Sequence, residues 1–267
     1  MNRKYTYIIL IIVITTFLYF IEKYVDRKNK SYPEMTNELF EMDNSLLPTS
    51  TTNDIIEHVY YTLSYSEKHE QAEWVAYVLD DEHISNNEFD RPYFIEDRKV
   101  KSRSADWRNY KGSGYDKGHL FSAGDRKFSY NAYHETFLTS NISPQEHKFN
   151  AGIWNRLEQK TRYWAKKYDG VYVVTGGVLK NSSKSIGEEN ITVPDVFYKI
   201  ILDYSNKDYN AITFLVPNKP SNESIYKYVT TIDQIEELTG IDFFSDLADS
   251  IEIKIESSVD ITSWVNY

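Results

Sequence analysis

The chain is organised around residues 112–158, which begin Gly112-Ser113-Gly114-Tyr115-Asp116-Lys117-Gly118-His119-Leu120, continue through Ser140-Asn141-Ile142-Ser143-Pro144-Gln145 and end Phe149-Asn150-Ala151-Gly152-Ile153-Trp154-Asn155-Arg156-Leu157-Glu158. Within it, one histidine, two asparagines and one glutamate are separated by 22, 9 and 8 residues. This set suits Zn²⁺ poorly, because zinc favours His and Cys, but it suits Mg²⁺, which prefers oxygen ligands. A neutral histidine beside such an ion can activate a water as general base. The stretch therefore predicts metal-assisted hydrolysis of a phosphodiester.

The motif Asp116-Lys117-Gly118-His119, followed in order by Asn141, Asn150 and Glu158, resembles that of the DNA/RNA non-specific endonucleases. This is the ββα-metal group, with endonuclease G-like and secreted bacterial nuclease-like members. The resemblance extends from about residue 57 to about residue 256. It implies cleavage of DNA and RNA with little sequence preference, leaving 5′-phosphate and 3′-hydroxyl ends. The expected cofactor is Mg²⁺, with Mn²⁺ as the alternative.

The resemblance also implies roles for four residues of the stretch. His119 would be the general base, and Asn150 would be the only side chain that touches the ion. Glu158 would hold a water in the ion's shell, and Asn141 would orient His119 or a phosphate oxygen. Each has a structural alternative: a packed histidine, a helix N-cap for Asn150, a solvated glutamate and a turn asparagine. The chain's other histidines are predicted to be structural or exposed: His58, His69, His83, His134 and His147.

Further cationic and acidic residues are predicted to contact the nucleic acid. By resemblance Arg91, in Arg91-Pro92-Tyr93-Phe94, would face the scissile phosphate, and Arg98 offers an alternative alignment. Asp116, Lys117 and Arg156 are predicted to line the nucleic-acid site. The family's motif has arginine where this chain has Lys117, and lysine keeps the charge but loses the planar fork that binds phosphate bidentately.

Charge is distributed unevenly along the chain. The net charge is −10, which argues against a nucleic-acid partner at first sight. Residues 98–167, however, contain 15 Lys and Arg but 6 Asp and Glu. The rest of the chain contains 15 Lys and Arg and 34 Asp and Glu. A basic segment around the motif is typical of phosphate binding, although an uneven solvated surface is the alternative. The absence of cysteine excludes disulfides and thiolate metal sites.

The N-terminus differs in composition from the rest of the chain. Residues 5–21 carry no charge, which is close to the shortest apolar run that spans a bilayer, and no small-residue cleavage site follows. We predict a signal anchor within residues 1–30, a linker over 31–56 and the nuclease domain over 57–267. The catalytic domain would then be membrane-anchored outside the cytoplasm, or secreted if the segment is a cleaved signal peptide. The more basic flank lies after the run, which opposes this orientation.

Apolar periodicity predicts an α+β fold, with a central, mainly antiparallel sheet flanked by helices. The resemblance adds a ββα-metal motif on one face of this sheet. The predicted strands are 63–65, 73–79, 115–121, 171–177, 196–204, 209–217 and 251–255, with a turn at 206–208. Residues 86–100 and 141–150 are predicted loops, and 153–167 and 231–238 are predicted helices. Thr231 with Gln234 resembles an N-terminal capping box, and Gly240 a C-terminal stop.

Two function classes remain open from the sequence. The first is an endonuclease acting on DNA and RNA, or on smaller phosphodiesters. The second is a membrane-anchored nucleic-acid-binding or uptake protein with weak nuclease activity. DNA and RNA are the predicted partners in either case, with the membrane contacted through the N-terminal segment. A homodimer and a protein inhibitor are further partners that the resemblance leaves open.

Overall fold

The chain forms two units, Met1–Glu38 and Leu39–Tyr267, in a computed structural model that describes residues 3–29, 44–181, 183–204 and 209–265. The first unit contains helix α1, Arg3–Asn29. Among the described residues, no helix combines the length and the apolar character needed to cross a membrane. The anchor predicted from residues 5–21 therefore stays a prediction.

The second unit is built on a seven-stranded sheet in the order β1-β2-β3-β6-β9-β10-β11, in which all neighbours are antiparallel. Two further pairs, β4 with β5 and β7 with β8, are also antiparallel. The strands are β1 Ile55–Glu57, β2 Thr62–Ser66, β3 Gln71–Leu79, β4 Asp116–His119, β5 Ile142–Gln145, β6 Val171–Gly177, β7 Ser185–Ile186, β8 Ile191–Thr192, β9 Val196–Asp203, β10 Asn210–Pro217 and β11 Val229–Thr230.

Helices cover both faces of this sheet, which confirms the predicted α+β class. The helices of the second unit are α2 Tyr130–Glu135, α3 Asn155–Tyr168, α4 Ile232–Thr239, α5 Asp249–Ser257 and α6 Thr262–Val265. The predicted glycine stop of α4 is present, but only one of the two bonds of the predicted capping box is, because the Gln234 side chain accepts from the Thr230 hydroxyl instead of the Thr231 backbone. The Thr231 side chain accepts a hydrogen bond from the Gln234 amide, and Gly240 adopts a left-handed conformation with φ 74°. The succession β4, β5 and α3 forms the predicted ββα unit.

Side-chain alternation along the central strands divides the core into two layers. Val75 and Tyr77 of β3 pack on one face with α3, whereas Trp74 and Ala76 pack on the other with α4 and α5. The face of α3 predicted from helical spacing is confirmed, because its four members are fully buried: Trp154, Leu157, Thr161 and Trp164. Burial of each large apolar side chain contributes about 1.5–3 kcal/mol, so α3 holds the site firmly against the sheet.

Two predicted elements differ in the structure. Residues 251–255 form part of helix α5, not a strand. Their isoleucines alternate as in a strand, but the acidic residues Asp249 and Glu252 in the first turn favour a helix N-terminus. The predicted loop 141–150 contains β5, which pairs along its whole length with β4. The last residues of this predicted loop belong to a helical turn that starts at Phe149. The predicted turn 206–208 lies outside the described residues.

The globular unit begins before the predicted boundary at residue 57. Leu46 is buried, the Thr49 amide donates to the Asp242 carbonyl at 2.8 Å, and the Trp74 indole donates to the Thr49 carbonyl at 2.9 Å. Strand β1 also starts at Ile55. The end of the predicted linker 31–56 is therefore packed on the domain, because its backbone is paired with buried parts of the sheet.

Candidate active site

His119 is the last residue of strand β4, opposite Ile142 of β5. One residue earlier, Gly118 passes directly under the fully buried side chain of Gln145. A Cβ at position 118 would lie 2.2 Å from the Gln145 Cδ and Oε1 atoms. The glycine of the motif is therefore required by close packing within the two-stranded unit, which fixes the backbone that presents His119.

The imidazole of His119 lies among aromatic rings. Its centroid is 4.9 Å from that of Phe137 and 5.6 Å from that of Phe94. Burial, assisted by the positive charge of Arg91, lowers the pKa of His119 to about 3. The ring is thus neutral at physiological pH. Its Nε2 atom is shielded from solvent and has no hydrogen-bond partner among the described residues, so it is free to accept a proton.

Two cationic side chains share the aromatic surroundings of His119. The Arg91 guanidinium lies 5.7 Å from the centroids of both Phe94 and Phe137. The Lys117 ammonium lies 5.4 Å from the Phe94 centroid. The structure therefore brings Arg91, Lys117 and His119 together around Phe94, and it places Arg91 close enough to His119 to lower the pKa of the imidazole.

Asn150 is held in a defined orientation by Asp116. It lies in a π-helical turn, Phe149–Trp154, immediately before α3, and such turns are frequent at functional sites. Its side-chain Nδ2 donates to the Asp116 carboxylate at 3.0 Å, and its backbone amide donates to the Glu146 carbonyl. Asn150 is therefore not acting as a helix N-cap.

The orientation of Asn150 fits a hard cation. Its amide oxygen makes no hydrogen bond within the described part of the chain, and the bond from Nδ2 fixes which side of the amide points away from Asp116. A single neutral oxygen donor beside a carboxylate is the kind of ligand set that Mg²⁺ accepts while keeping most of its waters. The residues present thus fit the ion that the sequence predicts.

Glu158 lies on α3 in a cluster of buried charges. Its carboxylate accepts a hydrogen bond from Ser122, three residues after His119, at 3.1 Å. Burial and the nearby Asp125 carboxylate raise the pKa of Glu158 to about 7, although Lys199, Arg162 and the Ser122 bond act in the opposite direction. Arg162 in turn donates to Asp125 at 2.5 Å. A carboxyl with this pKa can gain or lose its proton near neutral pH.

Lys199 is a site residue that the sequence analysis missed. It lies in the middle of β9, is fully buried, and has an ammonium group with no hydrogen-bond partner among the described residues. Its ammonium is 4.9 Å from the Trp154 ring. Burial lowers its pKa to about 8, while the charges of Glu158 and Asp125 oppose that shift. The signal in the sequence was a lone lysine within the apolar run of residues 196–202.

Asn141 and Arg156 both bind backbone groups of other segments. The buried Asn141 amide bonds to both backbone groups of Phe121, at 2.8 and 3.0 Å, and to the Thr136 carbonyl at 2.8 Å. It therefore fixes the segment that follows His119. Arg156 donates through Nη2 to the Ser221 and Glu223 carbonyls, which ties α3 to that loop.

His147 is a second residue that the sequence analysis left aside. Its Nδ1 lies 3.0 Å from the same Asp116 oxygen that receives Asn150. The side chain is exposed, so the pair is accessible from solvent. Asp116 therefore links His147 to Asn150 and orders this edge of the site without reaching the base itself.

An open groove of about 740 Å³ continues from the aromatic surroundings of His119. Its lining combines aromatic, basic and acidic side chains, including Phe94, Trp107, Arg98, Arg103, Arg108 and Glu96. Exposed arginines attract phosphates, and exposed rings provide surfaces on which unpaired bases can stack. The three arginines belong to the basic segment 98–167 that the sequence singles out.

Comparisons with known proteins show what the chain is similar to. Residues 40–250 match the sequence profile of a family described as DNA/RNA non-specific endonuclease. The chain is 30% identical over 249 residues to the mitochondrial nuclease EXOG of Xenopus laevis, covering 85% of this chain and 68% of that protein. It is 31% identical over 198 residues to the mitochondrial endonuclease G of Homo sapiens, covering 68% of this chain and 67% of that protein.

A solved structure and the lengths of the relatives complete the comparison. The crystal structure of the EndoG/EndoGI complex superposes with a TM-score of 0.68 at 29% identity, covering 73% of this chain and 86% of that chain. The present chain spans 68% of the Xenopus protein but 59% of the EXOG of Mus musculus. The family profile, matched over residues 40–250, lies within the second unit of the chain, which also contains the candidate site.

Proposed function

Because the chain belongs to the DNA/RNA non-specific endonuclease family, we propose that it hydrolyses phosphodiester bonds of DNA and RNA without sequence preference. The observation that carries the proposal is the neutral His119, whose unpartnered Nε2 lies in an aromatic pocket with Arg91 nearby. The expected products carry 5′-phosphate and 3′-hydroxyl ends. Lys117 supplies a positive charge on the same side as the base, although it lacks the fork of an arginine.

Mg²⁺ is the proposed cofactor, with Mn²⁺ as the alternative, and Asn150 is its proposed protein ligand. When bound, the ion would polarise the phosphate and stabilise the leaving oxygen. Asp116 supports Asn150 by accepting from its Nδ2. Glu158, ionised above its pKa of about 7, would orient water within the site through its second carboxylate oxygen, since Oε2 is engaged by Ser122.

Different residues of the chain accept the proton and offset the developing negative charge. His119 takes the proton of the attacking water at Nε2, and its lowered pKa leaves the imidazole neutral, with that nitrogen unprotonated, at neutral pH. Arg91 offsets the negative charge that develops on the phosphate. Asn141 is a positioning residue that acts through the Phe121 backbone and does not touch the substrate.

The proposal is tested by digestion of supercoiled plasmid and of single-stranded RNA with the purified full chain, in Mg²⁺ or in EDTA. We expect both polymers to be cut internally in Mg²⁺ and neither in EDTA. A dinucleotide tested in parallel distinguishes a phosphodiesterase of small substrates. Binding of plasmid without cleavage in either Mg²⁺ or Mn²⁺ would favour the alternative, a nucleic-acid-binding or uptake protein.

The proposed location is outside the cytoplasm, with the N-terminal segment as a membrane anchor. Its support is the uncharged run of residues 5–21 together with the hazard that a non-specific nuclease poses to the cell's own chromosome. Protease added to intact spheroplasts should digest the domain and spare a cytoplasmic marker. Protection of the domain until lysis would reject this topology. A homodimer and a protein inhibitor remain predictions from the sequence.

A further inference from the structure

Five carboxylates gather on the face of the sheet opposite to α3. They belong to α4, α5 and the segment between them: Asp233, Glu236, Asp242, Glu252 and Glu256. Two sets of three have one carboxylate oxygen from each residue within 4.8 Å of one another: Asp233 with Glu236 and Glu256, and Asp242 with Glu252 and Glu256. Glu256 belongs to both sets. The cluster lies on α4, α5 and the segment between them, whose apolar residues pack in a core layer separate from the one that contains α3.

Glu256 is the unusual member of this cluster. Its residue is 8% exposed, and its Oε1 atom is shielded from solvent without a hydrogen-bond partner among the described residues. An unsatisfied buried carboxylate oxygen is costly, and a bound cation is one of the few ways to compensate it. Burial and the neighbouring carboxylates, Glu236 first, raise the pKa of Glu256 to about 8.

One neighbour is already fixed in place. The Glu236 Oε1 atom accepts a hydrogen bond from the Phe243 backbone amide at 2.8 Å, which anchors the end of α4 to the following segment. This bond leaves the other oxygen of Glu236 available toward Glu256. The geometry thus offers a fixed carboxylate, a buried one with an unpartnered oxygen, and three more at the solvent edge.

We propose that this carboxylate cluster binds a Ca²⁺ ion through Glu256 and its neighbours on α4 and α5. The donors are all oxygens, which excludes sites that depend on nitrogen or sulfur ligands. Ca²⁺ takes oxygens at about 2.3–2.6 Å, so opposite ligands lie about 4.6–5.2 Å apart, and the oxygens of each set, all within 4.8 Å of one another, are close enough to share one ion. Mg²⁺, at about 2.0–2.1 Å, requires them to close further and to adopt octahedral geometry.

The ion would join α4 to α5 and act on stability without entering the hydrolytic reaction. The test is the unfolding midpoint of the full chain during a titration with Ca²⁺ from a metal-free state. The same titration is carried out with Asn150→Ala, which lacks the proposed ligand of the active-site ion. We expect a rise of about 5–10 °C when Ca²⁺ exceeds its dissociation constant 100-fold, in both proteins, and a smaller rise with Mg²⁺ at equal concentration.

Matched variants assign the effect to the cluster. Glu256→Gln keeps the shape of the buried side chain and should abolish the rise, whereas Glu237→Gln, an exposed neighbour on α4 outside the cluster, should retain it. The pair Asp233→Asn and Asp242→Asn, made together, leaves the buried residue intact and should weaken the rise even if Glu256→Gln folds poorly. No Ca²⁺-dependent rise in the wild-type chain, or a full rise in these variants, overturns the proposal.

Discussion

Replacement of Gly118 by alanine tests how the two-stranded unit presents the base. The new Cβ would lie 2.2 Å from the Gln145 Cδ and Oε1 atoms and 2.4 Å from its Cγ, whereas ordinary contact begins at 3.4 Å. The two strands must therefore separate by about 1.2 Å at this point, because the fully buried Gln145 side chain cannot turn into solvent. Overpacking of this kind costs about 1–3 kcal/mol in the free energy of unfolding.

The same displacement should reach His119, the next residue in β4. A shift of about 1 Å in a catalytic group can lower the rate about 10²-fold, so Gly118→Ala should lose activity beyond its loss of stability. Denaturant unfolding followed by circular dichroism gives the first quantity, and initial rates on plasmid give the second. Gly152→Ala is the matched control, because nothing lies within 4 Å of a Cβ at that position.

The double variant with Gln145→Ala isolates the contact. Removing the Gln145 atoms that obstruct the new Cβ should restore stability relative to the sum of the two single changes, by about 0.5–3 kcal/mol. Loss of the Gln145 amide itself breaks no hydrogen bond among the described residues, since both its polar atoms are unpartnered. Wild-type stability in Gly118→Ala, or additive effects in the double variant, would refute the packing argument.

Three further predictions concern the residues around the base. Asn150→Ala should require more Mg²⁺ for half-maximal activity, because its amide oxygen is the proposed ligand; an unchanged Mg²⁺ titration would leave it a purely structural residue. Activity is expected to rise with pH near the Glu158 pKa of about 7, and Lys199→Met should shift this rise to higher pH. The reason is that the Lys199 charge lowers the pKa of Glu158, and a pH profile identical to that of the wild type would contradict it. Arg91→Ala should lower turnover about 10²-fold or more, whereas Arg98→Ala should mainly weaken nucleic-acid binding; equal turnover losses would reverse this assignment.

The main strands and α3 could be predicted because each depends on a local pattern. The apolar face of α3, at Trp154, Leu157 and Trp164, recurs at helical spacing and is buried as that spacing requires. Strand β5 could not be predicted in the same way. It contains Pro144 and is only four residues long, so it exists because β4 pairs with it across the 22 residues that lie between His119 and Ile142. Local periodicity carries no information about pairing between residues so far apart in the chain.

The residues of the candidate site also differ in whether a local pattern or tertiary folding determines their role. His119 and Asn150 could be found because a motif and an order of residues identify them. Asn141 was found by that order, but its partners on the Phe121 backbone depend on tertiary folding. Lys199 and Glu158 come together because β9 and α3 pack on each other, 41 residues apart in the chain. Helix α5 was misread as a strand because its alternating isoleucines satisfy a period of two, while its helical start depends on acidic first-turn residues.

The central claim is that His119 takes the proton of the attacking water. The measurement that tests it most directly compares turnover on plasmid with DNA affinity for the wild-type chain and His119→Ala, both in saturating Mg²⁺. The account predicts that turnover falls about 10²–10⁴-fold, while the dissociation constant for DNA changes little, because phosphate contacts supply most of the affinity. Near-normal turnover by a folded His119→Ala protein would contradict the account.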